Sequence, residues 1–225
     1  MKPIVIYTMP RTKGTAALSA ANRNLKLNEP IEIFQLANNN DFTFTSTNTL
    51  YETRALNQSY DWCSLREQMS HPDTASKFFG SGLQQFYPAR SWFHDIDTAN
   101  SHDLYVLIRS PIEVIWSFVI ALHCGFSLST ETNAGDIQIT DFDIYKADLM
   151  IDNFLRFYPK NGKLVTFDTL PRENFSYTSI TMGEQHSIFK KESVINRDYV
   201  DKNIELILKF YQREWEDKTG TDIFV

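Results

Sequence analysis

Two short apolar runs, each followed closely by a helix-forming segment, constrain the fold of this chain most strongly. The first run is Pro3 to Thr8, and small helix-forming residues follow it over residues 15–25. The second is Leu104 to Ile108, and a helix is expected after it from about Pro111 to His123. Short β-branched runs are typical of strands buried on both faces of a parallel sheet. We therefore predict an α/β fold with three layers, α/β/α, and a mostly parallel central sheet.

The remaining segments supply further expected elements. Strands are predicted over residues 31–36 and 164–167, and helices around residues 61–69, 73–80, 141–158 and 199–215. Residues 38–49 and 125–140 are polar and are predicted to be loops. No linker or internal repeat interrupts the sequence, so we predict a single domain over residues 1–225, with a variable region around residues 40–100.

Composition excludes several classes of function. The formal net charge is -6, which argues against nucleic acid as a partner, because binding to a duplex relies on many lysine and arginine contacts. Only two cysteines are present, Cys63 and Cys124, so a disulfide framework is not expected. No charged leader opens the sequence and no apolar run approaches membrane-spanning length, so we expect a cytoplasmic protein without a membrane span.

The first candidate site is the turn after the first apolar run, which reads Pro10-Arg11-Thr12-Lys13-Gly14-Thr15-Ala16. A loop that joins a strand to a helix directs backbone N–H groups, and the positive end of the helix dipole, at whatever lies there. Hydroxyl groups and two cations would add to this field. The sequence predicts a site for a phosphate-like anion, although an ordinary turn with two solvated cations would look similar. The Walker pattern is absent because no lysine follows Gly14.

A second candidate site follows the second apolar run. Arg109 stands where the strand is expected to end, and Ser110, Pro111 and Glu113 together specify the start of a helix. Helix capping does not explain Arg109, whose planar guanidinium suits two-pronged recognition of phosphate. In open α/β sheets, ligands bind beyond the carboxyl ends of the strands, which is where Arg109 is expected.

Together the two motifs resemble the sulfotransferases that use 3′-phosphoadenosine 5′-phosphosulfate (PAPS). Their first motif is a strand followed by Pro-[Lys/Arg]-[Ser/Thr]-Gly-[Ser/Thr]-Thr, and their second is a strand followed by Arg-x-Pro, with a serine eight residues after the arginine. Ser117 is that serine here, and the segment 164–170 resembles a third family element. The sequence departs from the family at Lys13, where the family has glycine, and at Gly14, where it has a hydroxyl residue.

The resemblance implies a fold, a donor and a set of site residues. The fold would be a sulfotransferase architecture related to the P-loop NTPases, and the region around residues 40–100 would face the acceptor. Arg109 and Ser117 would hold the 3′-phosphate of PAPS. The 5′-phosphosulfate would be held by six loop residues: Arg11, Thr12, Lys13, Gly14, Thr15 and Ala16.

The resemblance also implies a mechanism of sulfuryl transfer to a hydroxyl or amine acceptor, such as a small molecule or a saccharide. Arg11 and Lys13 would stabilise charge on the leaving oxygen, and this logic requires no metal. A general base is expected between the two motifs, and His94, oriented by Asp95, is the candidate. Asp41 is an acidic alternative. A histidine within an aromatic segment is also commonly structural.

Three other functions remain open at this point. A protein of the same fold could bind nucleotide without transferring a sulfuryl group. A small-molecule P-loop kinase is a further alternative, although the missing Gly-Lys-[Ser/Thr] counts against it. An α/β interaction protein without a ligand is the last, and neither motif favours it. The acceptor and the oligomeric state cannot be read from the sequence.

Overall fold

The computed structural model describes residues 2–21, 31–35, 42–46, 56–58, 62–72, 74–124, 137–175 and 191–225. Contacts divide the chain into two compact units. The first comprises Met1–Ile108 and Arg156–Ile180, and the second comprises Arg109–Leu155 and Thr181–Val225. The single domain expected over residues 1–225 stays a prediction.

The first unit is built on a seven-stranded sheet. Its strands are β1 (Ile4–Thr8), β2 (Ile31–Gln35), β3 (Phe42–Ser46), β4 (Leu56–Gln58), β5 (Ala75–Phe79), β6 (Asp103–Ile108) and β7 (Lys163–Thr166). They lie in the order β4-β3-β2-β5-β1-β6-β7. Strands β2, β5, β1, β6 and β7 are parallel, and β3 and β4 add an antiparallel edge. An α/β fold with a mostly parallel sheet, as predicted, is confirmed.

Helices cover both faces of the sheet in this unit, which contains α1 (Gly14–Ala21), α2 (Trp62–Met69), α3 (Gly80–Gln85) and α4 (Tyr87–Ala99). Leu18 of α1 packs in one core cluster with Ile4 and Ile6 of β1. Successive side chains of a strand point to opposite faces, and Tyr7 accordingly meets Phe93 of α4, with ring centroids 5.3 Å apart. Helices α1 and α4 therefore cover opposite faces, which gives three layers.

The path of the chain through the sheet defines where a ligand would bind. After β1 the chain passes to β2 on one side, and after β6 it passes to β7 on the other side. Strands β1 and β6 are direct neighbours, with Thr8 opposite Leu107. The carboxyl ends of β1 and β6 thus flank a topological switch point, the position at which open α/β sheets form their ligand crevice.

The second unit contains α5 (Pro111–Cys124), α7 (Arg197–Thr219) and all of α6 (Asp141–Arg156) except its last residue. Helix α5 is held to α7 by a hydrogen bond of 3.0 Å from the Trp116 indole to Asp201. Helix α6 meets α7 where the rings of Phe154 and Trp215 lie 5.6 Å apart. Helix α7 ends at Gly220, whose φ of 67° is a left-handed cap that glycine adopts readily.

Two of the expected elements are wrong. Residues 75–79, predicted within a helix, form β5 between β1 and β2, and residues 42–46, predicted as loop, form β3. The periodicity of 73–80 is weak, and the aromatic pair Phe78 and Phe79 suits a strand that is buried on both faces. Most of the expected loop at 125–140 lies outside the described residues. In the part of the chain that the structure describes, no helix combines the length and apolarity needed to cross a membrane.

We predict that the first unit loses stability as the pH falls, through His102. This side chain is buried, its Nδ1 lies 2.8 Å from the Ser101 hydroxyl, and its Nε2 lies 3.3 Å from the Met69 carbonyl oxygen. Burial lowers the pKa of His102 below its ordinary value of 6.5. Below that value the unfolded chain binds the proton more readily, so the free energy of unfolding should fall by up to about 1.4 kcal/mol per pH unit.

Urea denaturation at several pH values between 8 and 5 tests this, with His102→Asn as the variant and His94→Asn as the control for losing an imidazole. The pH slope should be shallower in His102→Asn only. An equal slope in wild type and His102→Asn would contradict the assignment.

Candidate functional site

The loop between β1 and α1 is held from inside by threonine hydroxyls. Thr12 is 1% exposed, and its hydroxyl donates to the Met9 carbonyl at 2.8 Å and also pairs with the Thr8 hydroxyl. Thr8 Oγ1 lies 2.9 Å from the carbonyl oxygen of Leu107 on β6. Thr12 therefore fastens the loop to the sheet, and the expected contact of its hydroxyl with a ligand stays a prediction.

Two loop residues adopt the left-handed backbone conformation that usually favours glycine. The φ angles are 70° at Arg11 and 64° at Lys13. Residues with a Cβ pay roughly 1–2 kcal/mol in this region because of contact with the neighbouring carbonyl. Glycine adopts this conformation without that cost. The chain therefore has a lysine at a position whose backbone conformation favours glycine.

Gly14 serves a close approach rather than an unusual backbone angle. A Cβ at this position would lie 2.9 Å from Thr8 Cγ2 and 3.0 Å from Lys77 Cδ. Both distances are too short for ordinary carbon contacts, so a larger residue would push α1 away from β1 and β5. The close approach of the backbone at Gly14 is therefore directed at the sheet.

Helix α1 starts at this contact. The amides of Ala16 and Ala17 both donate to the Lys13 carbonyl at 3.1 Å, which makes Lys13 the residue that opens the helix. The amide of Ala16 is thus used within the helix, whereas the amides of Gly14 and Thr15 precede these first helical bonds and lie at the positive end of the dipole. The side chain of Thr15 lies outside the described residues.

The cations of the loop are joined by a lysine that sequence reasoning missed. Lys77 stands in the middle of β5 and is 2% exposed, with its Nζ 3.8 Å from the position of a Cβ at Gly14 and 4.9 Å from the centre of the Phe79 ring. Lys13 Nζ lies 5.2 Å from the centre of the Phe167 ring, just after β7. The available signal was a lysine next to two phenylalanines, which is unusual in a buried strand. It was missed because residues 73–80 were predicted to be a helix.

The second motif has its own geometry in the second unit. Arg109 follows β6 directly in the chain, and its Nε and a terminal nitrogen contact Glu113 Oε2 at 2.7 and 2.6 Å. The sequence had assigned this carboxylate to a helix cap. Ser117 lies one turn after Glu113 on the same face of α5 and is half-buried. These three residues therefore form a polar row, with Arg109 just before α5 and with Glu113 and Ser117 in its first two turns.

The structure does not bring His94 to the loop. It lies in α4, on the sheet face opposite α1, and it is exposed together with Asp95 while its neighbours Trp92 and Phe93 are buried. The side chain of His94 is therefore directed away from the sheet. The geometry gives no support to His94 as a general base, and Asp41 lies outside the described residues.

A histidine in the second unit has a carboxylate partner. His123 Nε2 lies 2.8 Å from Asp143, which also accepts bonds from the backbone amide and the hydroxyl of Thr140. Burial raises the pKa of Asp143, but the hydrogen bonds from Thr140 and His123 outweigh it, so the net pKa is lowered. Because Asp143 caps the start of α6 and holds the end of α5, this pair is explained by structure.

Among the described residues, no group of three histidine, cysteine, aspartate or glutamate side chains could hold a metal ion. Comparison of the chain with protein-family models, curated proteins and solved structures gave no match. The site is therefore argued from its own geometry: a strand-loop-helix turn at the switch point of a parallel sheet, with two cations on the loop and a third buried behind it. Such a turn is suited to bind an anion.

We predict that Lys13→Gly is more stable than Lys13→Ala by about 1 kcal/mol, because only the alanine keeps the contact that disfavours a φ of 64°. Both variants lack the ammonium group, so their difference isolates the backbone. Urea denaturation of the two variants measures it.

The matched control is Lys209, which is exposed in the interior of α7. There the glycine variant should be the less stable one, by about 1 kcal/mol, since glycine disfavours helix interiors. The same order of stability at both positions would show that Lys13 is not held in the left-handed region.

Proposed function

We propose that this chain is a PAPS-dependent sulfotransferase whose loop at residues 10–16 holds the 5′-phosphosulfate of the donor. The observation that carries the proposal is the loop itself, which joins the central strand β1 to α1 at the topological switch point and carries Arg11 and Lys13 in left-handed conformations. Non-glycine residues in this backbone region are costly and cluster at functional sites.

The second part of the proposal concerns the 3′-phosphate, which distinguishes PAPS from other adenine nucleotides. The resemblance assigns this group to Arg109 and Ser117. The polar row on α5 supports the assignment, because it presents a guanidinium and a hydroxyl at the start of one helix. A guanidinium held by an exposed carboxylate can exchange that partner for a phosphate at small cost, since such pairs are weak.

In the proposed reaction the acceptor oxygen or nitrogen attacks the sulfur atom. The bond between sulfur and the bridging oxygen breaks, the oxygen keeps the electron pair and leaves on the 5′-phosphate, and the acceptor gives up its proton. The chain's part is to align the donor and to stabilise charge on the leaving oxygen with Arg11, Lys13 and the loop amides. We assign no general base, because the side chain of His94 is exposed and directed away from the sheet.

The same observation favours a second candidate function, in which the protein binds the nucleotide without transferring the sulfuryl group. Incubation with ³⁵S-labelled PAPS and a panel of phenols, alcohols, amines and saccharides separates the two. Labelled product supports transfer. Retention of label on the protein alone, with PAPS bound, supports binding without transfer.

The experiment that tests the proposal is calorimetric titration of wild type and Arg109→Ala with adenosine 3′,5′-bisphosphate and adenosine 5′-monophosphate. Wild type should prefer the bisphosphate by about 10-fold to 100-fold, as expected for one charge-assisted phosphate contact. Arg109→Ala should lose that preference and keep its affinity for the monophosphate. Equal affinities of wild type for the two nucleotides would overturn the assignment of the 3′-phosphate.

We also predict that Glu113→Gln raises the affinity for the bisphosphate about twofold, because an exposed i,i+4 ion pair is worth about 0.3–0.5 kcal/mol. Affinity for the monophosphate should not change. Glu205→Gln is the matched control, because Glu205 pairs with Lys209 at the same i,i+4 spacing on α7. The prediction fails if both substitutions have the same effect on the bisphosphate.

A further inference from the structure

The side chain of Lys13 ends at a defined contact. Its φ of 64° would suit glycine, and its carbonyl accepts the first hydrogen bonds of α1, so the backbone at this position is fixed. The side chain leaves this backbone and places Nζ 5.2 Å from the centre of the Phe167 ring. A lysine ammonium within about 6 Å of a ring centre is attracted by the face of the ring. The lysine at this costly position is therefore accompanied by a ring that receives its charge.

The Phe167 ring is itself held in place. Phe167 is half-buried and packs against the core cluster between α1 and the sheet. It begins the short turn Phe167–Thr169, which is closed by a hydrogen bond of 2.8 Å from the Thr166 amide to the Thr169 hydroxyl. The next residue, Leu170, is 4% exposed and belongs to the same core cluster. Because the turn is anchored in this way, its ring offers Lys13 a fixed position.

The contact joins two segments at one edge of the sheet. Lys13 lies in the loop after β1, and Phe167 directly follows β7. Strand β6 lies between β1 and β7, and all three strands are parallel, so both residues lie at the carboxyl edge. Ligands of open α/β sheets bind beyond this edge. The ring therefore keeps the Lys13 ammonium at the edge of the sheet where an anion at residues 10–16 would lie.

We propose that Phe167 is a positioning residue of the anion site, because its ring holds the Lys13 ammonium in place for the phosphate or phosphosulfate group bound at residues 10–16. This inference rests on the proposed function only in taking the loop as the anion site. It assigns no role to the adenosine or to the 3′-phosphate. It makes the segment after β7 a determinant of how tightly the loop binds its anion.

The ring contributes by restricting Lys13 before the anion arrives. A free lysine side chain has many rotamers, and fixing them on binding costs conformational entropy. A contact that already restricts them in the free protein lowers this cost, so the anion binds more tightly. The ammonium has three N–H donors and the ring faces only one side of it, so donors remain for the anion. Phe167 thus acts through Lys13 and needs no contact with the anion.

The test is a double-mutant cycle on Phe167 and Lys13, measured by calorimetric titration with inorganic pyrophosphate. Phe167→Leu removes the ring and keeps an apolar side chain, and it should weaken binding about two- to fivefold, as expected for one cation–π contact. Phe167→Tyr keeps the ring and should bind as wild type does. In the Lys13→Met background, Phe167→Leu should have no effect, because no ammonium remains for the ring to hold.

Tyr87→Leu is the matched control, because Tyr87 is an exposed ring whose centre lies 4.9 Å from the guanidinium carbon of Arg90 on α4. This variant should bind pyrophosphate as tightly as wild type. A loss in Tyr87→Leu as large as that in Phe167→Leu would overturn the inference, because the effect would not be specific to the ring beside Lys13. An equal loss from Phe167→Leu with and without Lys13 would also overturn it, since leucine would then act only by disturbing the packing.

A second measurement leaves Phe167 unchanged, so it applies even if Phe167→Leu does not fold. Protons that lie over an aromatic ring resonate upfield of their usual position. The ε-methylene protons of Lys13, assigned by their disappearance in Lys13→Met, should therefore lie upfield of those of Lys209, which is exposed on α7. Equal chemical shifts for the two lysines would overturn the inference.

The outcomes separate this inference from the proposed function. Unchanged pyrophosphate affinity in Phe167→Leu, with wild type preferring adenosine 3′,5′-bisphosphate over the 5′-monophosphate, would overturn the role of Phe167 and leave the proposed function standing. Coupling between Phe167 and Lys13, without that nucleotide preference in wild type, would support Phe167 and overturn the 3′-phosphate assignment. Failure of wild type to bind any of the three anions would overturn both.

Discussion

The close approach of α1 to the ends of β1 and β5 is the contact on which the candidate site depends. It exists because residue 14 has no side chain, since a Cβ there would meet Thr8 and Lys77 at about 3 Å. With the helix at this distance, the Lys13 carbonyl accepts the first hydrogen bonds of α1, and Lys77 is buried beneath the helix.

The loop combines conformational cost with charge in a way that stability alone does not favour. Glycine would satisfy the left-handed backbone at Arg11 and Lys13. The chain has a cation at both places. Features that lower the stability of the free protein are typical of sites that recover the free energy when a ligand binds. An anion is the ligand that we propose for this loop.

Strong local patterns made much of the fold predictable. The β-branched run of β1, the apolar run of β6 and the Ser-Pro start of α5 each specify an element through neighbouring residues alone. Residues 75–79 do not, because their strand pairing depends on β1 and β2, which are distant in sequence. The turn that joins β1 to α1 was predictable from the apolar run before it and the small residues after it. Three features depend on tertiary packing, which the local sequence pattern does not encode. They are the left-handed φ angles of Arg11 and Lys13, the contact of Lys77 with Gly14, and the outward orientation of His94.

The most direct test of the anion site is a crystal structure of the protein grown with adenosine 3′,5′-bisphosphate. The account predicts density for the 5′-phosphate in front of residues 12–16, within about 3 Å of the loop amides, as expected for hydrogen bonds to phosphate oxygens. A nucleotide bound elsewhere, or one whose 5′-phosphate does not contact the loop, would contradict the account.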